Sequence, residues 1–209
     1  MHPNRGVISP QQFIPVFEKY GFITTMDLSI LSSVCAFISD YRIAFPISIN
    51  LSRIDVNNNK IVDLILETTA KFEVDHALIQ FEITESAYID NPLQMSALVS
   101  ELKGHGFTIL MDDFGNGYSS LHMLSALPMD VIKIDRSFIC EINENKRSKA
   151  VLSSIIQMGK QLDLPMVIEG VENEEHHTFL REAGALYGQG YYYQRPMEKE
   201  AFLKLLTHG

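Results

Sequence analysis

The chain is 209 residues long, enough for one large single-core domain and too long for a peptide. With 46% hydrophobic and 21% charged residues, 12 Gly and 8 Pro, it has neither the polar bias of a disordered chain nor the glycine repeat of collagen. Seventeen basic against 26 acidic side chains give a net charge of −9, so the long-range field repels nucleic acid and anionic membrane and disfavours a DNA-binding role.

A capping box at Ser9-Pro10-Gln11-Gln12, with proline in the first helical position, predicts a first helix running to Gly21. A second helix is predicted over about 24–40. Its most apolar stretch, Leu28 to Ile38, falls short of the ~18 apolar residues of a membrane span, and the polar start MHPNRG lacks a signal-peptide pattern. A cytoplasmic setting without membrane contact is therefore expected. It also suits Cys35 and Cys140, which have no disulfide spacing and are expected to be buried thiols. Strand-like PISINLS (46–52), LIQFEIT (78–84), FTILMDD (107–113), VIKID (131–135), PMVIEGV (165–171) and GQGYYY (188–193) follow. They alternate with helices expected near 58–72, 92–104, 119–126, 144–162, 173–183 and 198–207, the long 144–162 helix carrying Val151, Leu152, Ile155, Ile156 and Leu162 on one face.

Strands alternating with helices of this length form parallel βαβ units, so one continuous α/β domain over 1–209 is expected. Side-chain parity chooses the architecture. Gln80, Glu82 and Thr84 share one strand face and Ile79, Phe81 and Ile83 the other; Lys133 and Asp135 oppose Ile132 and Ile134. An open sheet covered by helices on both sides makes both faces apolar, whereas a barrel collects polar side chains at its mouth, so a modified (β/α)8 barrel with about six strands present is predicted.

Asn50, Glu82, Asp112 with Asp113, Lys133 with Asp135, Glu169 and Gln189 fall at the C-terminal ends of successive strands, where barrel active sites lie. Carboxylates gathered at one mouth need positive charge among them. Oxygen-only donors without cysteine or clustered histidine point to Mg²⁺ or Mn²⁺, and adjacent aspartates can serve two ions, an arrangement suited to phosphoryl chemistry. His176 and His177 are expected at the surface, and Tyr191, Tyr192 and Tyr193 in barrel packing. The glycines of DDFGNGYSS suggest a mobile loop that positions the two aspartates. A Schiff-base role for Lys133 would need an uncharged pocket rather than a ring of carboxylates.

ISPQQFIPVFEKYG, SINLS, FEITES, MDDFGNGYSSL, VIKIDRSFI, VIEGVEN and YGQGYYYQRP, in that order, resemble the EAL domain family of bacterial cyclic di-GMP phosphodiesterases over nearly the whole chain. The resemblance implies a modified (β/α)8 barrel that hydrolyses one phosphodiester bond of cyclic di-GMP to linear pGpG with a two-metal Mg²⁺ or Mn²⁺ site. It implies Asn50, Glu82, Asp112, Asp113 and Glu169 as metal ligands, and Lys133, Glu169 and Gln189 as catalytic residues. Asp135, Arg136 and Gln189 would meet substrate, while Glu85, Gly115 and Gly117 would shape the DDFG loop. The family's Glu-Ala-Leu strand, which supplies a further metal-binding glutamate, has no counterpart in these residues. The expectation is accordingly a domain missing its first strands, impaired in hydrolysis and self-associating as a homodimer through its open edges, with a sensory or GGDEF domain upstream. Asn116 stands where the family loop has a small Thr or Ala. A catalytically inactive cyclic di-GMP receptor or protein-interaction module is the alternative.

Overall fold

The computed structural model describes residues 8–115, 121–142 and 145–208. The chain gathers into two compact units, Met1–Asp130 and Val131–Gly209.

In the first unit, helix α1 (Pro10–Tyr20) starts on its proline. The predicted capping box does not form: the Ser9 side chain makes no cap bond, and the Gln12 N–H reaches the Ser9 backbone carbonyl at 2.9 Å instead. Gly21 ends the helix in the left-handed region (φ 73°), and the Phe22 N–H closes back on the Phe17 carbonyl at 2.8 Å. Helix α2 (Ile23–Tyr41) buries Ile23, Asp27, Leu31, Cys35 and Ile38, a stripe at three- and four-residue spacing. By length and composition α2 could cross a membrane (hydropathy 1.3), which the shorter apolar stretch 28–38 did not suggest. In the fold it packs on strand β1 (Ile47–Asn50) and helix α4 (Ile61–Thr69). A short helix α3 (Arg53–Val56) lies between them, capped by Ser52, whose hydroxyl accepts from the Asp55 N–H.

Strands β1, β2 (Ile79–Thr84) and β3 (Thr108–Phe114) pair in parallel, with helices α5 (Glu85–Asp90) and α6 (Pro92–Gly104) in the β2–β3 crossover. Ile79, Phe81, Ile83, Ile109 and Met111 are at most 1% exposed. Each contributes about 1.5–3 kcal/mol by burial, which fixes the strands whose ends carry the polar residues.

In the second unit, β4 (Val131–Ile134), β5 (Met166–Glu169) and β6 (Tyr187–Gln189) are again parallel, linked through α8 (Ser137–Cys140), α9 (Lys146–Gln161) and α10 (Glu174–Ala183). Helix α7 (Leu121–Ala126) closes the first unit and α11 (Lys199–His208) the second. Helix α9 buries Leu152, Ile156 and Gly159, so its inward face is narrower than predicted, and Val151 and Leu162 are exposed. Gly159 is there for closeness: a Cβ would sit 2.6 Å from the Met166 sulfur. Strand β6 stops at Gln189 instead of running to Tyr193. Gly190 lies against Val171, where a Cβ would meet the Val171 carbonyl oxygen at 2.2 Å, and the Tyr192 N–H then bonds that oxygen at 2.9 Å, turning the chain. Tyr191, Tyr192 and Tyr193 are consequently exposed rather than packed inside a barrel. Of the two cysteines expected to be buried, Cys35 is and Cys140, at the end of α8, is not.

Candidate active site

Register sets the geometry of the first unit. Asn50 pairs with Glu82, and Thr84 with Asp112, so the polar face of three neighbouring strands carries Asn50 and Glu82 side by side and Asp112 one step further along. Glu82 is 8% exposed and Asn50 faces outward. A regular strand would send Asp113 to the opposite face from Asp112. Asp113 instead takes a left-handed backbone (φ 56°), which breaks the alternation, and the carboxylate oxygens of the two residues lie within 4.8 Å of each other. A non-glycine residue in that region carries strain of order 1–3 kcal/mol, the kind that accumulates at functional sites. Gly115 follows at φ 97°, and its N–H donates to Glu85 Oε2 at 3.1 Å. Glu85 is 3% exposed at the first position of α5, so a buried carboxylate holds Gly115, the residue that follows β3. Gly117 and Asn116 lie outside the described residues.

In the second unit Lys133 is buried on β4, and its Nζ meets Glu169 Oε1 at 2.7 Å. Glu169 pairs in register with Gln189, which is exposed at the end of β6. Asp135 is buried and accepts the Ser137 N–H at 2.9 Å in the turn just before α8, while Arg136 is exposed. Gly170 is left-handed (φ 77°), and a Cβ there would come 2.6 Å from Arg136 Cβ, so glycine lets the chain after Glu169 pass the start of α8.

The EAL domain family profile matches residues 1–196. The chain belongs to the EAL domain family. It is 36% identical over 200 residues to the probable cyclic di-GMP phosphodiesterase PdeB of Escherichia coli K12, covering 94% of this chain and 38% of that protein. It is 32% identical over 205 residues to the cyclic di-GMP phosphodiesterase RocR of Pseudomonas aeruginosa, covering 97% and 52%. Among solved structures, the PaMucR phosphodiesterase in its c-di-GMP complex superposes with a TM-score of 0.91 at 33% identity, over 96% of this chain and 83% of that one. The α/β barrel-type fold expected from the strand pattern is thus the fold of its solved relatives. The chain spans about a quarter to a half of the curated relatives it matches.

The EAL chain's donors at these strand ends suit a hard divalent cation: an amide and carboxylates, with no sulfur or imidazole among them. One residue that matters to this site went unread in the sequence. His176, expected at the surface, is 4% exposed, with its Nδ1 3.4 Å from both the Gly170 carbonyl and the Glu172 N–H. It therefore braces the turn that follows Glu169. The available signal was Asn173, three residues upstream, whose side chain accepts the His176 N–H at 2.9 Å and so starts α10 with this ring turned inward.

Proposed function

We propose that this chain hydrolyses one phosphodiester bond of cyclic di-GMP to linear pGpG in bacterial second-messenger signalling. The observation that carries the reading is the end of β3, where two adjacent carboxylates converge through a left-handed Asp113 and the next glycine, Gly115, is held by Glu85, in a chain of the EAL family.

Asn50, Glu82, Asp112, Asp113 and Glu169 are the oxygen donors for Mg²⁺ or Mn²⁺. Two such ions, when bound, polarise a phosphate and acidify a bound water. The residues do the rest. The Lys133 ammonium, kept in place by Glu169, offers fixed positive charge to an oxyanion in a desolvated setting, where it counts for more than in water. The Gln189 amide can donate and accept, which orients an attacking water. Arg136 supplies an exposed cation for the second phosphate, with Asp135 fixed beside it by its bond to Ser137. A cytoplasmic location, a homodimer, and an upstream sensory or GGDEF domain complete the reading. The last is supported by the longer relatives, one of which is a bifunctional diguanylate cyclase and cyclic di-GMP phosphodiesterase.

The test is incubation of the purified chain with cyclic di-GMP and Mn²⁺ or Mg²⁺, following pGpG by chromatography with calorimetric binding in parallel. Turnover abolished by Asp113→Asn is the expected result. Binding of cyclic di-GMP without any pGpG would replace the hydrolytic reading with a receptor.

A further inference from the structure

Two carboxyl groups lie in the interior of the first unit, on helices α2 and α3 rather than on the strands. Asp27 on α2 is 7% exposed and Asp55 on α3 is fully buried. Both converge on Ser52. Asp27 Oδ2 accepts the Ser52 N–H at 3.3 Å, and Asp55 Oδ2 accepts the Ser52 hydroxyl at 2.6 Å. Asp55 Oδ1 also accepts the Thr24 hydroxyl at 2.5 Å, and Asp55 is the neighbouring acidic group that, after burial, raises the Asp27 carboxyl. Two buried carboxylates gathered on one serine would repel, so the pair is expected to hold one proton. Ser52 stands two residues after Asn50, and Leu51 between them is tied to β2 through its N–H on the Glu82 carbonyl at 2.9 Å.

The structure assigns Asp27 and Asp55 to a proton-sharing pair that fixes the Leu51–Ser52 segment and so positions Asn50 at the end of β1. This role rests on the phosphodiesterase reading, in which Asn50 is a metal ligand. The surroundings leave Asp55 as the charged partner of Asp27. On α1, Glu18 pairs with Arg53 of α3 at 3.6 Å; Asp63 and Glu67 of α4 are exposed, and β1 carries no charge. Burial, followed by the neighbouring Asp55 carboxyl, raises the Asp27 carboxyl to about 7.

The pair gives a readout that needs no turnover. In the metal-free chain, amide hydrogen exchange at Leu51 and Ser52, corrected for intrinsic rate, should lose protection as pH rises through about 7. Asp27→Asn, which cannot ionise beside Asp55 while its oxygen still accepts from Ser52, should keep that protection and remove the pH step. Asp27→Leu should lose protection throughout and weaken Mn²⁺ binding by about 10- to 100-fold, the usual cost of losing a group that supports a ligand. Unchanged Ser52 protection in a folded Asp27→Leu chain, or a pH step that persists in Asp27→Asn, overturns the assignment. Where Asp27→Leu does not fold, the Asp27→Asn comparison decides alone. A parent chain that binds Mn²⁺ but yields no pGpG fails the hydrolytic reading and leaves the pair standing; one that binds no Mn²⁺ fails both.

Discussion

Replacing a buried aspartate is expected to stabilise this protein. Asp27 holds its proton up to about pH 7 in the fold, against an ordinary carboxyl near 3.8. The native state therefore binds the proton more tightly than the unfolded chain. Below about pH 4 both states are protonated and the raised value costs nothing; between about 4 and 7 the unfolded chain ionises while the native chain does not, and stability falls by about 1.4 kcal/mol per pH unit. Above about 7 both are ionised and the penalty levels off. Three units would total at most about 4 kcal/mol. Asp27→Asn cannot ionise, and its side-chain oxygen can still accept the Ser52 N–H, so it escapes the penalty. Urea unfolding of the parent and Asp27→Asn across a pH series checks this. The stability difference should grow up to about pH 7 in favour of the variant and then stay flat. Parallel curves, or a variant less stable at every pH, would refute the account of a shared proton.

Three other outcomes follow from the same structure. Glu85→Gln keeps the side chain's shape but removes the charge from its bond to the Gly115 N–H, so it should cost about 1–2 kcal/mol in thermal unfolding and lower Mn²⁺ affinity about tenfold by calorimetry. Gly190→Ala places a methyl 2.2 Å from the Val171 carbonyl oxygen and 2.4 Å from its nitrogen. Both are backbone atoms that cannot swing aside, and the loss should be about 3 kcal/mol or more, read as a drop in Tm. The thiols should separate under a thiol-reactive dye at neutral pH: Cys140 is exposed, whereas Cys35 is buried and pushed up to about 11, so the native chain should titrate one thiol and the urea-unfolded chain two.

The strands and their polar ends were legible in the sequence because a half-polar strand declares itself by alternation. LIQFEIT and VIKID each set an apolar face against a charged one, and the observed strands 79–84 and 131–134 lie within one residue of the expected limits. Helices α3, α5 and α8 were not anticipated, since four to six residues are too few to display a 3.6-residue period and their starts depend on caps. The tyrosine run was misread for the opposite reason. Its β propensity is strong, but the turn is decided by Gly190 packed on the Val171 backbone, a contact between segments nineteen positions apart by the numbering. Cys140 failed through the same shortness: a four-residue helix has too little surface to bury every apolar side chain it carries.

Asp113 and Asp27 mark where pattern reading ends and why. The adjacency of Asp112 and Asp113 is plain in the sequence, yet a regular strand would have set the two carboxylates on opposite faces. Their convergence depends on a positive φ, uncommon for any residue but glycine, that no sequence period announces. Asp27 is the converse. Ile23, Asp27, Leu31 and Cys35 recur every four residues, so an ionisable group stood in the middle of an apolar helical stripe, a visible signal that a buried partner must exist. What no spacing supplied was the partner, because Asp55 reaches it from a helix of four residues that the sequence did not announce. Each position departs from the local rule of its own element. Such departures are held by contacts distant in sequence, and at the strand ends they set where the carboxylates point.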